Sequence, residues 1–182
     1  MKNLIIKVLK KLGYTLKGIK PSIKHNDFNS IVKFLLENKK NVHTYFDIGA
    51  NKGQSIELFK KMNANSQIHS FEPTPKLYRD LVKKFENDKT IKINNIGLGK
   101  EKDILTFYSF NKSSPVNSFL PMDKKSKFYK ARLYNSSSND SNFTNQTKID
   151  VTSVDNYCND NNIKEIDFMK IDTQGFEEEV LQ

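Results

Sequence analysis

The chain has 182 residues, 36% of them hydrophobic and 28% charged, which fits one rather polar domain. No run of about 18 apolar residues occurs, so no membrane-crossing helix is expected, and the single Cys158 excludes an internal disulfide and points to a reducing cytoplasm. The net charge of +9 would attract nucleic acid, but the lysines are spread along the whole chain and only Arg79 and Arg132 are arginines, so specific nucleic-acid readout is not expected.

Residues 1–40 read as an N-terminal helical segment. Met1 to Lys20 sets Leu4, Ile5, Val8, Leu9 and Leu12 against lysines, the pattern of an amphipathic helix. Such a helix packs on a domain edge or makes a weak membrane-surface contact. It lacks the apolar core and small-residue cleavage site of a signal peptide. Asp27 to Leu36 repeats the pattern with Phe28, Ile31, Val32, Leu35 and Leu36.

Residues 41–182 form the main domain. Tyr45, Phe46 and Ile48 end a buried parallel strand, and Ile56, Phe59 and Met62 recur at helical spacing. Gly49 and Gly53 therefore sit where a strand turns into a helix, the place where an open α/β sheet forms its ligand crevice. The order Asp47-x-Gly49-x-x-x-Gly53 departs from the G-x-G-x-x-G of dinucleotide sites, which argues against a nicotinamide cofactor. An acid so close to the helix start repels a pyrophosphate but accepts from an ammonium or a bound water. That favours a ligand with an adenosine half and an amino-acid half, a description that S-adenosylmethionine fits.

Gln67 to Glu72 reads as a second strand stopped by Pro73, with Glu72 placed to accept both ribose hydroxyls of an adenosine. Pro75 opens a helix with Leu77, Leu81, Val82 and Phe85 on its apolar stripe. Ile91 to Asn95 is a third strand, which puts Asn94 or Asn95 near the adenine. Ile104 to Phe110 is an extra strand or hairpin. Residues 111–147 form a long polar insertion, of the kind that serves as a lid or substrate loop. Its Asn-x-Ser/Thr tripeptides follow from composition. Lys148 to Thr152 alternates like a short strand, and Thr152 caps a helix carrying Val154, Tyr157 and Cys158. Ile166 to Ile171 is a fourth strand, followed by Asp172, Gly175 and the acids Glu177 to Glu179, which suit a helix start. His25, His43 and His69 are scattered and only Asp172 and Glu177 cluster, so no metal site is assigned.

Asp47-Ile-Gly49-Ala50-Asn51-Lys-Gly53-Gln54 resembles motif I of class I S-adenosylmethionine-dependent methyltransferases. Phe71-Glu72-Pro73-Thr74-Pro75, Asn95-Ile-Gly97-Leu-Gly99 and Ile166-Asp-Phe-Met-Lys170-Ile-Asp172-Thr-Gln174-Gly175-Phe-Glu177 follow in the order of its FkbM-type branch. The resemblance implies an α/β fold, a Rossmann-like doubly wound sheet lacking the last strands because the chain stops early. It implies S-adenosylmethionine held by Asp47, Gly49, Ala50, Asn51, Gly53, Gln54, Glu72, Asn95 and Asp172, with Ser118 as a further contact.

Asp172 should lie beside Gly49 and accept a hydroxyl proton, with Glu177 and Lys170 in support. Lys170 faces away from the crevice by strand alternation. The implied reaction is O-methylation of a small molecule or sugar precursor. Two other readings stay open: an inactive, truncated binding or interaction module, favoured by the early stop, and a basic nucleic-acid-binding protein or RNA methyltransferase, suggested by the charge.

Overall fold

Strand β1, Thr44–Ile48, is buried along almost its whole length on both faces. Alternate side chains point to opposite sides of a strand. On one side Tyr45 stacks on Phe59 of helix α1, Gln54–Met62, with centroids 4.8 Å apart. On the other, Phe46 meets Phe71 and the edge of Tyr157, the latter in helix α3, Val154–Asp160. A strand covered on both faces needs a nearly continuous apolar run, which Tyr45, Phe46 and Ile48 supply.

The computed structural model describes residue 30 and residues 44–110, 117–121, 123, 125 and 144–182. The chain divides into two units, Met1–Lys40 and Asn41–Gln182, and every element below belongs to the second. The amphipathic helices expected within residues 1–40 lie, Ser30 apart, outside the described residues, as does most of the polar insertion.

A parallel sheet is formed by β1, β2 (Gln67–Phe71), β3 (Ile91–Asn94) and β7 (Phe168–Ile171). Their order across the sheet is β3-β2-β1-β7. Helix α2, Pro75–Phe85, connects β2 to β3 and starts with its proline in the first turn, where the missing donor is harmless. The order reverses at β1, which has β2 on one side and β7 on the other, and β7 forms one edge. Register sets Ile48 beside Phe71 and Ile171, so the carboxyl ends of three neighbouring strands finish at one level.

A second sheet packs over that end, built from β4 (Gly97–Leu98), β5 (Asp103–Phe110) and β6 (Thr144–Thr152). Its order is β4-β6-β5. Leu98, Phe107, Ile149 and Val151 share one buried cluster with Phe46, Ile48, Phe71 and Tyr157. Burying one such side chain is worth about 1.5–3 kcal/mol.

Two expectations need correction. The insertion is shorter than 111–147, because β6 begins at Thr144 and residues 144–147 pair antiparallel with residues 107–110. Ladder bonds to an eight-residue partner outweigh the polar composition there. The helix carrying Tyr157 is capped by Ser153, whose Oγ accepts from Asn156 N at 3.1 Å, and not by Thr152, which ends β6. The last helix, α4, is the short Glu177–Val180.

Candidate functional site

The turn after β1 is built from residues able to hold positive φ: Gly49 at 81°, Asn51 at 52° and Gly53 at 81°. Gly49 N and Ala50 N both donate to Phe71 O, at 3.0 and 3.1 Å, which fastens the turn to the end of β2. A Cβ on Gly49 would overlap the carbonyl oxygen of Asp172, so the absence of a side chain lets β1 and the loop after β7 touch. Gly53 is required for a different reason. A Cβ there would lie 2.8 Å from both Leu81 and Phe85, so this glycine lets α2 approach α1.

Glu72 follows β2 and is 5% exposed. Its Oε2 accepts from Asn51 N at 2.8 Å and its Oε1 from Thr74 N at 2.9 Å. Burial pushes the Glu72 carboxyl up, against the pull of the Thr74 and Asn51 donors and the Lys170 charge. The Thr74 hydroxyl also hydrogen-bonds this carboxylate, which leaves part of its four-site acceptor capacity open. Asn95 serves the loop that carries Glu72. Its Nδ2 donates to Glu72 O at 2.9 Å and Pro73 O at 3.1 Å and so holds that loop in place.

Across the cleft, Asp172 is exposed, and its Oδ1 accepts from Gln174 Nε2 at 2.7 Å. Glu177 turns back on the same loop and accepts from Thr173 N and Gly175 N at 3.0 Å. A carboxylate so engaged braces the loop. Ser118, 6% exposed, donates its Oγ hydrogen toward Gln174 O (3.1 Å) and Thr173 O (3.3 Å), while Asn117 Nδ2 reaches Thr74 Oγ1 at 3.1 Å. This short segment pairs with β5 through Tyr108 and Ser118, so it ties the Asp172 loop, the Glu72 loop and the second sheet together.

Beneath the turn, Asp47 is fully buried, with Lys170 Nζ 3.1 Å from its Oδ1. The contact is an ion pair without the alignment of a hydrogen bond. Burial holds the Asp47 carboxyl above its ordinary range, opposed by Lys170 and reinforced by the nearby Asp172 charge. Lys170 also donates to Gly49 O at 2.6 Å.

Above this floor lies a cleft enclosing about 610 Å³ of empty space, part of it open to solvent. Gly49, Asn51, Glu72, Asp172, Thr173, Gln174 and Asn117 supply its polar lining; Ile48, Phe71, Pro73, Ile96, Leu98, Phe107 and Phe119 supply its apolar wall. A mainly apolar hollow with a few convergent polar groups is the usual form of a small-molecule site. Residues 47–182 match the Methyltransferase FkbM domain. The chain belongs to the FkbM methyltransferase family. A comparison with curated proteins finds no match.

Of the residues expected at the site of this FkbM domain, Gly49, Asn51, Glu72 and Asp172 line the cleft. Asp47 does not: it lies fully buried beneath the turn, paired with Lys170. Ala50 is 2% exposed with its amide on Phe71 O, Gly53 faces α2, and Gln54 opens α1 outside the lining. Asn95, Ser118 and Glu177 hold loops and do not line the cleft.

Ile96, Leu98, Phe107, Asn117, Phe119, Thr173 and Gln174 went unassigned from sequence. The Ile96-Gly97-Leu98 block carried a signal in its glycine, since a Cβ on Gly97 would run into the Phe119 ring. For Phe107 and Phe119, brought in by the second sheet, local pattern held none. Among the described residues no group of acids, histidines and cysteines could hold a metal ion, and no helix is long and apolar enough to cross a membrane.

Proposed function

We propose that this FkbM domain binds S-adenosylmethionine and methylates a hydroxyl of a small molecule or sugar precursor. The observation that carries the reading is the meeting of the Gly49 turn, Glu72 and Asp172, from the ends of three adjacent parallel strands, around one cleft. The donor set suits such a cofactor. Glu72 is held rigid by two backbone amides and retains acceptor capacity for vicinal hydroxyls. The apolar wall formed by Phe71, Pro73, Ile96 and Leu98 suits a planar base. With Asp47 neutralised, Asp172 is the carboxylate of the cleft that an ammonium or an acceptor hydroxyl would meet.

When bound, S-adenosylmethionine supplies a methyl group on a positively charged sulfur. The chain's own work is then to align and to manage one proton. Gln174 fixes Asp172 through Oδ1, so an acceptor hydroxyl hydrogen-bonded to that carboxylate would pass its proton to it. Glu177 and Ser118 hold the Asp172 loop still, and much of the rate comes from such near-attack alignment. Phe107 and Phe119 limit water on the side of the second sheet.

The test is to incubate the purified chain with methyl-labelled S-adenosylmethionine and fractionated lysate. Label is expected in a small-molecule or sugar fraction, and Asp172→Asn is expected to lower incorporation by about 100-fold. Label confined to RNA or protein would overturn the acceptor class.

A further inference from the structure

We propose that Lys170 is a positioning residue for the donor site, its part-buried ammonium holding the Gly49 carbonyl and so fixing the turn on which the cofactor lies. This rests on the S-adenosylmethionine reading above. Lys170 stands opposite Asp47 in the β1–β7 register. Its Nζ is 3.1 Å from Asp47 Oδ1 and 2.6 Å from Gly49 O, and its side chain is 11% exposed beside an Asp47 that is 0% exposed.

Taking two charges out of water is costly, and a well-packed apolar pair often stabilises a fold as well or better. Stability alone is therefore a weak reason for a lysine at this position. The geometry shows a second use. The amides of Gly49 and Ala50 are held from the β2 side by Phe71 O, while the Gly49 carbonyl is held from the β7 side by Lys170. One ammonium thus joins the acid before the turn, the turn itself and the strand that leads two residues later to Asp172. Gly49 and Asp172 already touch backbone to backbone, so a shift of the turn changes the cleft directly. An apolar side chain of similar length fills the volume but donates nothing to the carbonyl.

Melting temperature and calorimetric affinity for S-adenosylhomocysteine separate the two uses. Lys170→Met leaves the buried Asp47 with no cation and only the Ser70 hydroxyl on its Oδ2, and both quantities are expected to fall. Lys170→Met/Asp47→Asn strands no charge. It is expected to melt within about 5 °C of the native chain, yet to bind at least about tenfold more weakly. Recovery of affinity together with melting temperature would overturn the proposal, because neutralising Asp47 would then be all that Lys170 does. Should neither Met variant fold, Lys170→Gln/Asp47→Asn decides: it keeps the pair polar and uncharged, while the Gln amide, one bond shorter than the lysine it replaces, falls short of Gly49 O. Weakened binding at a native-like melting temperature supports the role, and native affinity contradicts it. A native chain with no affinity for S-adenosylhomocysteine would instead overturn the donor-site reading itself.

Discussion

Gly49 has no room for a methyl group. Its φ of 81° is one that L side chains rarely adopt, and a Cβ would meet the Asp172 carbonyl, which is backbone and cannot swing aside. Gly49→Ala is therefore expected to cost roughly 2–4 kcal/mol, read as a lowered denaturation midpoint. An unchanged midpoint would mean that the turn is not pinned against the loop after β7. The glycine and the need for it were legible because a strand pattern ends on it and a helix pattern begins soon after. The role of Asp47 was not. A sequence shows an acid beside a turn, but not that the residue answering it lies on a strand 121 positions beyond Gly49. For Asn95, Ser118 and Glu177 the polarity was visible, while the backbone groups they bind were set by tertiary structure.

Elements show the same division. Period and punctuation located β1, β2, β3, α1 and α2, since each is a local pattern closed by Gly, Pro or Asn. The second sheet was half seen. β5 stood out by its aromatic residues, whereas the start of β6 looks like polar loop and becomes strand only because β5 pairs with it.

One network across these elements responds to pH. His69 Nδ1 lies 2.9 Å from Tyr157 Oη, and Tyr157 donates to Asn94 Oδ1 at 3.2 Å. The tyrosine has a single hydrogen to give, so the imidazole must donate to it through Nδ1. Burial, with the Lys92 charge adding to it, lowers the His69 pKa to about 4. The unfolded chain takes up a proton near the ordinary 6.5 while the folded one resists until about 4, so stability present above 6.5 is lost as pH falls through that window. Melting curves at pH 7 and pH 5 should show a smaller drop in His69→Gln than in the native chain. Equal drops would assign the acid sensitivity to other groups.

Over the whole molecule, the order β3-β2-β1-β7 brings Glu72, the Gly49 turn and Asp172 to one end of one sheet, although they stand far apart in the chain. That convergence was anticipated by placing each acid at the carboxyl end of its strand, a rule that needs only strand assignment and parallel pairing. What the rule does not supply is which of the converging groups face the ligand and which hold the floor. Asp47 and Lys170 cancel below the cleft, leaving Glu72 and Asp172 as its carboxylates.

The measurement that tests this arrangement most directly is calorimetric titration of the chain with S-adenosylmethionine. Saturable one-site binding is expected, weakened by about 100-fold in Glu72→Ala, with the variant still folded. Binding left intact in Glu72→Ala, or no binding by the native chain at millimolar ligand, would contradict it.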